Sequence, residues 1–525
     1  MASERVIVVG GGVGGLVSAA LLSARGLEVT VLERAPAVGG KMRQVRCGER
    51  AIDAGPTVLT MRWVFEEIFD ALGTSLDKHL KLLPADLLAR HAWPSREGES
   101  GQTLDLFADL ERSADAIGAF AGAAEAEGYR RFCDYARRIY ETVELPFLRA
   151  ERPTIGSTLS LARDLGMEAL FRIDGLRTVW KSLIDFFGDP RLRQLFGRYA
   201  TYCGSSPWLA PATLNVIAHV ERDGVWLVEG GMYKVAEALA DRVKAAGGTI
   251  RCGAEVKEIC VEGGRASGVL LASGERLSAD AVVLNGDAEA LARGLFGKKA
   301  SKGGSEPGTR SLSALTWALS AETTGFPLAR HNVFFSSDYA AEFRQLFDRG
   351  ELPSEPTVYV CAEDRDDHGA LAPGARAERM LVLVNAPSNG DKRPFSTSEV
   401  LTCEQRSFAL IRRSGLTIGR PEGPPVVTTP SDFERLFPGT GGALYGPASH
   451  GMTASFAKSA SRTKIPRLYL TGGSAHPGAG VPMVALSGKL AASSVLADLA
   501  SMSRSPTAAT AGGTWMRSAT TGATR

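Results

Sequence analysis

Val6-Ile7-Val8-Val9-Gly10-Gly11-Gly12-Val13-Gly14-Gly15 leads into Leu16 to Leu22, a run of small and aliphatic residues. The β-branched run 6–9 suits a strand buried on both faces of a parallel sheet. Gly10, Gly12 and Gly15 fit the pattern G-x-G-x-x-G. Gly10 permits the tight turn from strand to helix, Gly12 lets the backbone approach a pyrophosphate, and Gly15 lets helix and strand pack closely. Val13 and Gly14 open the helix, whose free N–H groups and positive dipole end favour phosphate. A second strand, Glu28 to Leu32, ends at Glu33, 18 residues beyond Gly15. A carboxylate there is placed to accept hydrogen bonds from ribose hydroxyls. Strand, glycine loop, helix, second strand and acid together predict a dinucleotide site of the Rossmann type, without choosing between NAD and FAD.

Composition narrows the class. The chain has 525 residues, 44% of them hydrophobic, which excludes disorder as its main state. Sixty basic and 58 acidic residues leave a formal charge of +2, without the basic excess of a nucleic-acid binder. Seven cysteines, none in a CxxC pair, read as free and mostly packed thiols, and no metal site is expected. Glu4 and Arg5 lead straight into the first strand, so no signal peptide is expected. No run of about 18 apolar residues predicts a membrane span. The expected location is the cytoplasm.

Later segments return to the nucleotide-binding unit. Gly230-Gly231-Met232-Tyr233 starts an Ala-rich helix that ends at Gly247-Gly248, followed by the short strand Thr249–Cys252. Residues 255–285 read as a meander with turns at Gly263-Gly264 and Ser273-Gly274. Leu468-Tyr469-Leu470 is a buried strand, followed by Gly472-Gly473, the loop 474–482 and a small-residue helix from Met483 to Ala500. A second glycine loop at a helix start can hold the other end of a dinucleotide. Ser474 and His476 invite a hydrolase reading, but Gly472-x-Ser474-x-His476 lacks the second glycine of a nucleophile elbow.

The expected architecture is α/β: a discontinuous nucleotide-binding domain from 1–75, 228–290 and 441–500, and an inserted α+β substrate domain from 76–227 and 291–440. The first insertion reads as mostly helical. Within 174–200, Leu176, Val179, Trp180, Leu183 and Phe187 recur at helical spacing, as core or as a lipid-facing or tunnel-lining face. The second insertion carries strand-like runs at 313–319, 333–335, 358–361 and 380–384, read as a sheet that walls a ligand cavity. Residues 300–308 read as a flexible loop, and the tail 501–525 as disordered.

Gly39-Gly40-Lys41-Met42-Arg43 and Asp53-Ala54-Gly55-Pro56-Thr57 extend the fingerprint. This combination resembles the FAD-binding amine oxidase and carotenoid desaturase superfamily. Ile52 to Leu59, Gly188 to Gln194 and His476 to Pro482 resemble the bacterial phytoene desaturase family. Gly55 to Val64, Arg198 to Trp208 and Val384 to Pro387 are similar to its 1-hydroxycarotenoid 3,4-desaturases, also called methoxyneurosporene dehydrogenases. The resemblance spans about 1–500. It implies FAD, with Gly40, Lys41, Met42 and Arg43 at the diphosphate and Val256 near the adenine. It adds Arg34, Gly55, Pro56, Thr57, Gly472, Gly473, Gly480, Val481 and Pro482 to the cofactor contacts.

The resemblance further implies an acyclic carotenoid carrying a C1 hydroxyl or methoxy group, desaturated at C3–C4 with the flavin as hydride acceptor. Oxygen or quinone is the implied final acceptor, and a membrane surface the source of so apolar a substrate. Asp174 and Arg177, three apart at the expected start of an apolar helix, are the candidate proton-accepting pair, against a capping or ion-pair role. A phytoene desaturase, a carotenoid oxidase or isomerase, a flavin amine or protoporphyrinogen oxidase, and a lipid-escort protein on the same fold stay open as alternatives.

Overall fold

Five parallel strands form the first sheet: β1 (Arg5–Val9), β2 (Glu28–Glu33), β3 (Thr249–Cys252), β4 (Ala281–Leu284) and β5 (Leu468–Leu470), in the order β3-β2-β1-β4-β5. This computed structural model describes residues 3–94, 101–150, 172–305, 308–366, 368–371, 373–451, 454 and 458–504. The β-branched run of β1 is buried throughout because strands flank it on both sides and helices or a second sheet cover its faces. Helices α1 (Val13–Ser23), α2 (Tyr233–Ala245) and α3 (Val481–Arg504) pack on one face. On the other lies an antiparallel meander, Val256–Glu262, Arg265–Leu271 and Arg276–Ser278. The meander ends before β4, which joins the parallel sheet instead.

Helices α1 and α3 cross closely enough for Ser18 Oγ to donate to the Gly488 carbonyl at 2.9 Å. A Cβ on Gly488 would sit 2.5 Å from the Gly14 carbonyl, which explains the small residues of both helices. Val481–Ser501 has the length and hydropathy of a membrane span, contrary to the sequence expectation, but half of it is buried inside the fold. By length and composition alone, a core helix passes the same test.

A mixed seven-stranded sheet forms the second layer. Its order is Val426–Thr428, Ser313–Ala321, Glu378–Ala386, Val358–Ala362, His331–Phe334, Leu87–Trp93, Gln102–Phe107. The described part of the first insertion is mostly helical, as expected, but it also contributes the last two strands, which the sequence reading did not foresee. They were hidden because Leu87–Trp93 carries Arg90 and His91 inside an otherwise apolar run, which blurs strict alternation. Period two then decides the facing of each strand. Met380, Val382 and Val384 pack into the core beneath helix Thr397–Arg413, while Leu381, Leu383 and Asn385 face a cavity.

Two further expectations are corrected. Residues 174–200 are not one helix. They divide into Val179–Leu183, Pro190–Gly197 and a 3-10 segment, Arg198–Cys203. Pro190, preceded by the capping Asp189, restarts the chain as a new helix. Residues 300–303 form a 3-10 turn with Ala300 buried, rather than a flexible loop. The tail beyond residue 504 lies outside the described residues, and with it nearly all of the stretch read as disordered.

Candidate functional site

The glycine loop is built around a side chain from another strand. Asn285, which follows β4, donates from Nδ2 to the Gly10 carbonyl at 3.2 Å. Cβ atoms at Gly12 and Gly14 would lie 2.8 Å and 3.0 Å from its amide atoms, and one at Gly15 would lie 2.2 Å from the Gly10 carbonyl. Gly10 holds φ of +99°, a conformation suited to glycine. No side chain caps α1, and no acidic residue stands in its first turn. Its leading amides and dipole therefore face a site suited to an anion.

Glu33, 9% exposed, accepts from the Gly11 and Ala35 amides, both at 2.7 Å. Gly39 donates to the Gly11 carbonyl at 2.8 Å, and Gly40 packs its backbone against Gly12. Lys41 is half-buried and donates to the Leu444 carbonyl at 2.7 Å. Burial lowers its pKa, partly offset by Asp287. The buried Met42 lies in the core under α1, and Arg43 donates to Thr428 Oγ1 at 3.0 Å while its Nε has no partner among the described residues. Arg34 donates to the Leu436 carbonyl at 2.6 Å. Val256 is buried at the head of the meander.

Gly55 lies so close to the Lys41 carbonyl that a Cβ would approach to 2.1 Å. Gly472 (φ +114°) receives support from Ser487 Oγ, which accepts from its amide at 3.2 Å; Gly473 follows it, packed against Ala479 and Val484. Gly480, Val481 and Pro482 line a cavity of about 890 Å³ together with Gly55, Pro56 and Thr57. Segments 55–57 and 480–482, more than 400 residues apart in sequence, thus line one cavity. Ser474 Oγ accepts from the Ala288 amide, and His476 Nε2 lies 3.0 Å from the Ala150 carbonyl, so both are tied into the loop scaffold.

Away from those segments the cavity is mainly apolar, walled by Val333, Leu381 and Leu383 of the second sheet and by Phe147, Ile217 and Val220. It reaches the surface at Leu176, whose side chain is 76% exposed. A partly buried polar cluster interrupts the apolar wall. Glu221 accepts from Tyr199 at 2.5 Å and from Tyr202 at 3.1 Å, and burial raises its pKa against the pull of those hydroxyls and Arg198. Arg198 stacks over the rings of Tyr202 and Tyr359.

Comparison with known proteins fits this arrangement. The family model described as flavin containing amine oxidoreductase matches residues 13–496. The hydroxyneurosporene desaturase of Rubrivivax gelatinosus is 54% identical over 523 residues, covering 99% of this chain and 98% of that protein. The hydroxyneurosporene desaturase of Cereibacter sphaeroides is 45% identical over 502 residues, covering 95% and 99%. The chain belongs to the carotenoid desaturases, within the flavin-containing amine oxidoreductase family. Wild-type putrescine oxidase bound to putrescine, 18% identical with a TM-score of 0.58 over 94% of this chain and 99% of that one, shares the fold.

The chain is therefore an oxidoreductase of carotenoid biosynthesis with FAD as cofactor. Its residues fit that group: uncapped amides at α1, an unpartnered Arg43 Nε, glycines where any Cβ would collide, and a carboxylate at the end of β2. Asn285 was absent from the sequence-based candidates. Its one sequence signal is a polar residue closing the apolar run Ala281 to Leu284.

Asp174 and Arg177, the expected proton-accepting pair, form an ion pair with each other. Asp174 is in the left-handed region (φ +48°) rather than at a helix N-cap, and Thr178 caps the helix Val179–Leu183. Tyr135 donates to Asp174 Oδ2 at 2.7 Å, and Arg177 bridges Asp174 and Asp185. Ile173, Gly175 and Leu176 line the cavity, but Asp174 and Arg177 are not among its lining residues.

Proposed function

We propose that this carotenoid desaturase acts on an acyclic carotenoid carrying a C1 hydroxyl or methoxy group and introduces the C3–C4 double bond. The observation that carries the reading is the cavity, which runs from Gly55–Thr57 and Gly480–Pro482 along an apolar wall to the exposed Leu176. Its volume of about 890 Å³ lies in the range of sites that enclose most of a ligand. When bound, FAD supplies the hydride acceptor. The glycine loops and Glu33 hold and orient it, and the aliphatic positions of the second sheet exclude water from the reacting carbons. Asp174 and Arg177 serve the scaffold of the cavity rim.

Membrane contact belongs to the same reading. Leu145 and Leu176 are 69% and 76% exposed, and each flanks or forms cavity-lining segments. A substrate insoluble in water reaches the cavity from a bilayer at this rim, and oxygen or quinone takes the electrons. The test is a liposome assay. Purified protein with FAD receives 1-hydroxyneurosporene or phytoene, and products are separated by chromatography with absorption spectra. Loss of two hydrogens from the hydroxylated polyene, with phytoene untouched, is the expected result. Stepwise conversion of phytoene would move the reaction to an earlier step, and inertness toward both would turn attention to amines.

A further inference from the structure

In the cavity wall, one buried polar atom near the cofactor end has no partner among the described residues. His331 is 3% exposed and lines the cavity, and its Nε2 makes no hydrogen bond. Its other ring nitrogen is fully engaged. Nδ1 lies 2.8 Å from the Tyr359 hydroxyl, which itself lies 2.7 Å from Thr57 Oγ1. The two rings stack, with centroids 6.2 Å apart and planes inclined by 11°. His331 is thus held at Nδ1 and leaves Nε2 as an unpaired buried polar atom in a residue of the cavity wall. Burial and the nearby Arg330 and Arg198 push the imidazole down to about 3, so it is neutral. A neutral imidazole presents either an N–H donor or a lone pair at Nε2, set by the proton that Tyr359 leaves at Nδ1. A tertiary alcohol can meet either one.

Covalent geometry favours a polar group close to the cofactor end of the wall. In a C1-hydroxylated polyene reacting at C3–C4, four bonds separate the oxygen from C4, a reach of about 5 Å. The oxygen must therefore lie beside the reacting carbons, at the cofactor end. His331 is joined to Thr57 through a single hydroxyl, and Thr57 lines that end with Gly55 and Gly480. The Tyr339 hydroxyl also lacks a partner, but its ring packs among Trp208, Phe335 and Phe343. Glu221, Tyr199 and Tyr202 satisfy one another.

We propose that His331 Nε2, positioned by Tyr359 and Thr57, binds the C1 oxygen of the substrate and makes this enzyme select hydroxylated over unhydroxylated polyenes. The inference rests on the proposed substrate. A buried polar atom left unpaired by a ligand that lacks the hydroxyl disfavours that ligand.

The experiment compares 1-hydroxyneurosporene with neurosporene, the same polyene without the oxygen. Both kcat/KM and Kd are measured, the latter from the shift of polyene absorption on binding. In the wild type the hydroxylated polyene is preferred in both. In His331→Phe the preference falls about tenfold or more, and His331→Gln, which keeps a polar end, recovers part of it. Tyr359→Phe, which frees the ring, lowers the preference in the same direction. Flavin absorption reports that each variant is folded and loaded; if His331→Phe fails that check, Gln and Tyr359→Phe decide. Wild-type preference in loaded His331 and Tyr359 variants would overturn the proposal, as would a collapse on Tyr339→Phe alone. A wild type that converts both polyenes equally would overturn the substrate reading first, and this proposal with it.

Discussion

Asn285 and Gly10 are joined by a hydrogen bond of 3.2 Å from side-chain amide to backbone carbonyl, which ties the strand β4 to the glycine loop after β1. The same amide lies against the positions where Gly12, Gly14 and Gly15 have no Cβ. The loop thus owes its shape to a side chain from the other half of the sheet. Asn285→Leu, of similar volume, removes the bond and leaves the Gly10 carbonyl facing an apolar group. The expected outcome is protein that purifies with a reduced ratio of flavin to polypeptide, read from absorbance. Gly15→Ala places a methyl 2.2 Å from the Gly10 carbonyl and costs about 1–3 kcal/mol or more, read in a denaturant midpoint.

Glu33 accepts from two backbone amides through separate oxygens. Glu33→Gln turns one oxygen into a donor that faces an N–H. Affinity for FAD is expected to fall about tenfold, equivalent to about 1.4 kcal/mol, in a fluorescence titration of apoprotein. Unaltered affinity would remove Glu33 from the cofactor site.

Glu363 is buried next to Asp53, and these two causes push its carboxyl up to about 8. Its folded pKa is above its unfolded one, so its contribution is fully present below about pH 4.5 and is lost as pH rises toward 8. The wild type should lose thermal stability across that window relative to Glu363→Gln, whose Tm curve is expected to be flatter. Parallel curves would contradict this.

His91 and His331 act with the opposite sign. Burial holds both at about 3, well below the usual 6.5. Their contribution is present above pH 6.5 and is lost progressively as the solution is acidified toward pH 3. His91→Asn should lessen the acid limb of the stability profile, measured by circular dichroism at fixed temperature.

Asp174 is held by Tyr135 and Arg177 outside the cavity lining. Asp174→Asn is therefore expected to lower stability by about 1–2 kcal/mol while kcat changes less than twofold to threefold. A hundredfold fall in kcat at wild-type stability would return this carboxylate to the chemistry.

Leu145→Ser with Leu176→Ser removes two exposed aliphatic groups near the cavity rim. Co-sedimentation with liposomes should weaken several-fold, with flavin content maintained. Equal sedimentation would locate any membrane contact elsewhere.

Much of the cofactor end was legible because its demands are local. Gly10, Gly12 and Gly15 are required by backbone conformation and close approach, and such requirements are written in residue type and spacing. The run 6–9 and the Gly247-Gly248 helix end were legible for the same reason. The strand Leu87–Trp93 was not, because its Arg90 and His91 find partners in Asp105 and the Leu104 carbonyl across the ladder. Asp174 misled because an acid before apolar residues resembles an N-cap, whereas its backbone turned left-handed and Thr178 took the cap.

By itself the sequence determined the nucleotide-binding fold, through contiguous motifs that fix backbone geometry, and its resemblance to known proteins implied the flavin and the carotenoid desaturase family. Only the tertiary structure decided that Asn285 anchors the glycine loop, that Gly55–Thr57 meets Gly480–Pro482 at one cavity, and that His331, Tyr359 and Thr57 form a chain there. These groups lie tens to hundreds of residues apart. Their meeting depends on how two sheets pack and which face each strand turns inward, and a one-residue change of register would reverse that facing.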